Sequence, residues 1–218
     1  RNIFDRMAGG LEFDSSEFSS SEFVSRFVAN QNPFVALPVF ASRVFRHSFI
    51  FVNRKYIKKP KDLEGKRIGV PLYTMTAAVW QRGHLSDDYG VDFSSVKWIQ
   101  GATNSSGAHG DPTVLPLLKP VNIEINHSGK SLSDLLSEGS IDACIGTSNP
   151  ESRLSNPDVV RLFPDFKEVE KDVYRRTKVF PIMHLVAIRK DTYEKNPAIA
   201  QSLYDACCES KALALKRL

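Results

Sequence analysis

The stretch "IGVPLYTMTAAVWQRG", Ile68–Gly83, decides the fold. It opens as an apolar run of strand-forming residues and closes as a helix-forming one. A proline, a tyrosine and two threonines stand between. The first turn of a helix has backbone N–H groups without partners and a partial positive charge. A hydroxyl there caps the helix. The same place can receive a carboxylate or phosphate. Thr74 and Thr76 are therefore read both ways, as caps and as anion contacts.

The same handover from strand to helix recurs outward from this stretch. Upstream, "LEFDSSEF" (residues 11–18) reads as a short strand running into a loop, with Glu17 at its end. Ser19 and Glu22 then have the spacing of a capping box for the helix "SSSEFVSRFVA". "FVALPVFAS" (34–42) and "HSFIFVN" (47–53) are β-rich runs. Downstream, "TAAVWQRGHLSDDYG" is a helix stopped by Gly90. "VKWIQG", "VNIEIN" and "IDACIG" are strands, and "SLSDLLSEG" and "FKEVEKDVYRRT" are helices. "FPIMHLVAIRKD" (180–191) is a strand holding His184, and a long helix ends the chain. Ala102–Pro120 is a polar, glycine- and proline-rich loop. Strands alternating with helices predict an α/β architecture with largely parallel sheets. The sequence contains neither G-x-G-x-x-G nor G-x-x-x-x-G-K-[ST], so neither dinucleotide nor phosphate-loop chemistry is expected.

The totals exclude other classes. In 218 residues, 42% are hydrophobic and 25% charged, the balance of an ordinary globular chain. A net charge of +4 is too mild for a nucleic-acid binder, and "NRKYIKKPK" (53–61) reads as a solvated loop. Three cysteines, two of them adjacent, form no disulfide framework and no zinc spacing, which points to a reducing compartment. Cys144 reads as a core residue. No run of about 18 apolar residues predicts a membrane span. The chain begins at Arg1 inside what reads as a helix, so a piece of a longer polypeptide is expected.

Several segments together carry a resemblance: "VFASRVFRHSFIFVN", "DLEGKRIGVPLYTMTAAVWQRG", "DDYGVDFSSVKW", "SLSDLLSEGSIDA", "VVRLFPDFKEVEKDVYRRTKVFPIMHLVAIRKD" and "AIAQSLYDA". In this order, over nearly the whole chain, they resemble the 4,5-dihydroxyphthalate decarboxylase family. The resemblance implies a two-lobe fold like that of type II periplasmic binding proteins, with a ligand cleft between the lobes. It places residues 1–67 and 182–218 in a first lobe, incomplete at both ends, and residues 68–181 in a second. Family members carry an extra N-terminal strand and helix and a longer C-terminal tail.

The implied reaction is loss of CO2 from a hydroxylated aromatic carboxylate. It needs a proton donor for the ring, a clamp for the anion and an acceptor for the phenol. Of five histidines, His109 and His127 read as solvent-facing and His84 as a helix surface residue. His47 and His184 remain as proton donors, although an apolar strand could equally hold His184 as a core residue. Neighbours on a strand face opposite ways, so Arg46 and His47 can share a face only if the strand is irregular. Glu17 is the candidate base, or a surface carboxylate. Arg43, Arg46 and Arg82 are candidate clamps, because the guanidinium fork matches a carboxylate. Arg82 could also face solvent. Tyr73, Thr74, Thr76 and Ser19 are further candidate substrate contacts. Trp80 could stack on the ring or sit in the core.

The resulting expectation is a cofactor-independent carboxy-lyase in the cytoplasm. Its partner is a small aromatic carboxylate, with no nucleic acid and no membrane, and a homo-oligomer is left open. No metal is expected, although Glu17, His47 and His184 are the types that could hold a divalent ion. The alternative is a non-catalytic solute-binding protein of the same fold for an aromatic acid or a pyrimidine-like ligand.

Overall fold

The fold was analysed in a computed structural model that describes residues 2–109 and 115–217. Residues 110–114 of the expected loop lie outside the described residues. The chain begins with α1 (Asn2–Gly10), β1 (Ser15–Ser19), α2 (Ser20–Val28) and β2 (Phe34–Arg43). A 3-10 turn (His47–Phe49) leads into β3 (Ile50–Asn53), and another (Pro60–Leu63) precedes β4 (Arg67–Val70) and α3 (Thr76–Tyr89). Next come β5 (Lys97–Gln100), β6 (Ile123–Ile125), α4 (Leu132–Ser137), β7 (Ala143–Ile145), β8 (Val159–Arg161) and α5 (Phe166–Thr177). The chain closes with β9 (Ile182–Arg189), α6 (Lys190–Lys195) and α7 (Ala198–Leu215). It divides into two compact units, residues 2–43 with 182–217 and residues 44–109 with 116–181.

The first unit holds a three-stranded sheet in the order β1-β9-β2. Both pairings are antiparallel, contrary to the largely parallel expectation. Burial explains why. Along β1 the buried residues are Ser16 and Phe18, alternating with half-buried Ser15, Glu17 and Ser19. Such a strand covers a core on one face only, which antiparallel sheets tolerate and parallel sheets rarely do. Met7 of α1 packs with Phe18, Phe34, Leu185 and Ala187 on the covered face. Strand β2 loses register between Leu37 and Ser42. Pro38 lies in that gap and has no N–H to donate to a ladder.

The second unit holds a six-stranded sheet in the order β6-β5-β4-β7-β3-β8. The first four strands run parallel, as the alternation predicts. β3 is antiparallel to both its neighbours. Residues 44–67 belong to this unit because β3 pairs with β7 and β8. Both faces of the sheet are covered. Ile50, Val52, Ile68, Val70, Trp98, Ala143 and Ile145 pack on one side with Ala78 and Leu85 of α3. Phe51, Ile99 and Cys144 point the other way, against Leu132, Leu135 and Leu136 around α4. Continuous apolar strands are what a sheet covered on both faces requires.

Three local expectations change. Ser19 is the N-cap residue of α2 but its side chain makes no capping bond. Its hydroxyl lies 3.3 Å from that of Ser21, and Glu22 pairs with Arg26 one turn on. Met75, not a threonine, is the N-cap of α3, and Thr76 is the first residue inside the helix, 6% exposed. His47 is not on a strand: residues 47–49 form the 3-10 turn before β3. The end of α3 is as expected, with Gly90 at φ 64°, a left-handed conformation open to glycine at little cost. No helix among the described residues is long and apolar enough to cross a membrane.

Candidate functional site

In the first unit, Glu17 sits in the middle of β1 and faces Val186, while Ser19 faces His184. Glu17 and His184 are therefore diagonal neighbours on the half-exposed face of the sheet. Long side chains bridge that diagonal. His184 Nδ1 lies 2.6 Å from Glu17 Oε1. The side chains are 28% and 42% exposed, so the pair is open to a small molecule rather than sealed in the core. On the other flank of His184 the register partner is Ser42, and Arg43 pairs with Ile182. Phe4 of α1 meets the His184 ring edge-on, with centroids 4.9 Å apart. The sheet thus gathers Glu17, Ser19, Ser42, Arg43 and His184 in one neighbourhood, drawn from three separate parts of the chain.

In the second unit, His47 is 1% exposed. Its ring lies 4.7 Å from that of His84, and the edge of Phe163 closes one side at 5.5 Å. Trp80 stacks on His84 with ring centroids 5.6 Å apart. His84 is thus not a surface residue, its side chain being 12% exposed. Burial, then the neighbouring His84, pushes the His47 pKa down to about 4, against a smaller opposing pull from Asp88. At pH 7 the ring is neutral. Its contact with Glu170, at 3.8 Å, is not an ion pair. Burial raises the Glu170 pKa in turn, although the backbone N–H groups of Ser48 and His47 oppose that. Burial also lowers the Arg46 pKa, with Glu170 acting the other way. The Arg46 guanidinium lies 5.3 Å from the Phe49 ring. The irregular turn at 46–49 removes the strand alternation that would have sent Arg46 and His47 to opposite faces.

Arg82 does not face solvent. Its guanidinium lies 3.8 Å above the Tyr73 ring and 5.5 Å from Trp98, and it donates to the Tyr73 carbonyl at 2.8 Å. The Tyr73 N–H donates to Gln100 Oε1 at 2.9 Å. Buried Gln81 donates to the carbonyls of Arg46 and Gly146, both at 3.1 Å, and so ties α3 to the turn ahead of β3 and to the end of β7. Thr74 is half-buried.

Sequence reasoning missed three residues of the His47 cluster: His84, Asp88 and Glu170. Two of them had a signal. His84 and Asp88 are four apart on one helix, which puts them on one face. Glu170 had none, because only the packing of α5 against the 47–49 turn brings it to His47.

A family model described as NMT1/THI5 like matches residues 32–111. A 4,5-dihydroxyphthalate decarboxylase from Comamonas testosteroni is 39% identical over 99% of this chain and 66% of its own length. An enzyme of the same name from Pseudomonas putida is 37% identical over 79% of this chain and 67% of its own length. The chain thus spans about two thirds of the length of these curated relatives. Among solved structures, the periplasmic aliphatic sulphonate binding protein SsuA from Escherichia coli superposes with a TM-score of 0.53. It is 16% identical and covers 96% of this chain and 58% of its own, a likeness of fold alone. The α/β fold is therefore of the periplasmic-binding-protein kind, as expected.

Proposed function

The chain belongs to the 4,5-dihydroxyphthalate decarboxylase family, and from that membership we propose that it removes CO2 from a hydroxylated aromatic carboxylate such as 4,5-dihydroxyphthalate. The observation that carries the reading is the 2.6 Å contact between His184 and Glu17 on an accessible sheet face. A carboxylate bonded to Nδ1 fixes which ring nitrogen is left to work. Protonated His184 donates Nδ1–H to Glu17 and presents Nε2–H to the substrate.

The chemistry follows from the substrate. A hydroxyl para to the carboxylate pushes electron density onto the carbon that bears it. That carbon takes the proton from Nε2. The bond to the carboxylate then breaks, its electron pair returns to the ring, and CO2 leaves. The phenol keeps its proton, and solvent returns one proton to the neutral imidazole, so one proton is taken up for each CO2 released. Atoms balance without an oxidant or reductant, and no organic cofactor enters a step. Ser19 and Arg43, beside His184 in the same unit, are the contacts for the substrate's hydroxyl and carboxylate groups. The guanidinium fork suits the latter. The second-unit candidates, among them Arg46, Thr74, Thr76, Trp80 and Arg82, enter no step of this scheme.

The test is CO2 release from 4,5-dihydroxyphthalate by the purified chain and its His184→Asn and Glu17→Gln variants. General acid catalysis contributes about 10²–10⁴ in rate. His184→Asn should therefore lower kcat by about 100-fold or more with far-UV circular dichroism unchanged. Glu17→Gln should lower kcat more than it raises KM. Tight binding of the acid without CO2 release would instead make the protein a carrier. Full activity in His184→Asn would remove the proton-donor assignment.

A further inference from the structure

We propose that the second unit holds one divalent first-row transition-metal ion between the imidazoles of His47 and His84 and the carboxylate of Asp88. These three residues each place a ligand atom within 4.8 Å of the other two. His84 Nδ1 and Asp88 Oδ2 are 3.5 Å apart across one turn of α3. Around a tetrahedral ion with bonds of about 2.0–2.2 Å, neighbouring ligand atoms sit roughly 3.3–3.6 Å apart. That pair is therefore already at chelating separation, and the His47 ring closes in from within 4.8 Å to complete the set.

Unanswered polar atoms at the same place argue for a ligand. Both ring nitrogens of His47 and Oε1 of Glu170 are buried without a hydrogen-bond partner. A buried polar atom left without a partner destabilises a folded protein. An apolar core would place carbon here. A cluster of nitrogen and oxygen donors facing one another has a use when something binds between them. The donor set identifies the class of ion. Two imidazoles and a carboxylate suit zinc, iron(II), cobalt or nickel, and do not suit calcium or magnesium, which take oxygen ligands.

The surroundings meet the other needs of a metal centre. Asp88 keeps Oδ1 on Arg176 at 3.1 Å, which leaves Oδ2 toward His84. Glu170 Oε1, 3.8 Å from His47 Nδ1, is placed to orient that ring while Nε2 takes the ion, the usual arrangement of a carboxylate behind a metal-binding histidine. Phe45, Trp80 and Phe163 ring the two imidazoles. Glu170 also lines a groove of about 550 Å3 with Phe45, Lys167, Lys171, Tyr174 and Phe180. An ion held here joins α3 to the turn ahead of β3.

The experiment uses the whole chain, stripped with a chelator and titrated with Zn2+ by calorimetry and with Co2+ by visible absorption. One saturable equivalent is expected, with the intense visible bands of four-coordinate Co2+ and a higher Tm in Zn2+. His47→Gln removes a buried ring and tests folding as much as binding, so the decisive variants are His84→Gln and Asp88→Asn. Each should weaken Zn2+ binding by tenfold or more, the range found for ligand and supporting residues of metal sites, with circular dichroism unchanged. Absence of saturable uptake would overturn the proposal, as would uptake of equal affinity in the double variant. None of these readouts depends on decarboxylation, so the two readings stand or fall separately.

Discussion

His184 and Glu17 show how two plain residues become a bonded pair, His184 Nδ1 lying 2.6 Å from Glu17 Oε1. Each alone admits a plain reading, a histidine in an apolar strand and a surface glutamate. Register brings them together, because the antiparallel β1–β9 pairing sets them on one diagonal of one face. Cys144 shows the reverse, a reactive side chain made inert by its place. Burial against Leu132, Leu136 and Ile141 pushes its thiol up to about 12. The thiolate is the reactive form. At pH 8 its share is then about one part in 10⁴. Iodoacetamide at pH 8 should therefore label Cys208 and Cys207 in the native protein and leave Cys144 untouched until denaturant is added. Peptide mass mapping reads the result, and native labelling of Cys144 at the rate of Cys208 would contradict its placement in the core.

At the scale of elements, two serines with the same motif separate. Ser19-x-x-Glu22 and Ser131-x-x-Asp134 both have capping-box spacing. Only the second closes the box. Ser131 Oγ accepts from the Asp134 N–H at 3.1 Å, and the Asp134 carboxylate accepts from the Ser131 N–H at 3.0 Å. Ser131→Ala should therefore cost about 1 kcal/mol in urea denaturation, the usual worth of a cap. Ser19→Ala should cost clearly less through α2. Equal losses would mean that Ser19 caps its helix after all. The spacing was visible in both cases. What was not visible is that Ser19 is also the last residue of β1, where the backbone serves the sheet before it serves the helix.

At the scale of the whole molecule, the proposed reaction depends on an electron-rich ring. Phthalate, which lacks the para hydroxyl, should not be turned over, whereas 4-hydroxyphthalate should be, more slowly than the dihydroxy acid. In D2O the product should carry deuterium at the carbon that lost CO2, as read by proton magnetic resonance. Turnover of phthalate at a similar rate would rule out ring protonation driven by the phenol.

The sequence by itself determined the α/β class, the parallel run of strands in the second unit, the end of α3 at Gly90 and the buried fate of Cys144. These depend on local patterns: apolar runs that need cover on both faces, and a glycine free to turn left-handed. It also carried the family resemblance, because that lies in ordered segments along the chain. Only the tertiary structure decided the antiparallel sheet of the first unit, the pairing of Glu17 with His184, and the gathering of His47, His84, Asp88 and Glu170. Those are contacts between residues far apart in the chain, set by strand register and by helices packing on turns. Apart from the four-residue step between His84 and Asp88 on α3, no spacing along the sequence encodes them.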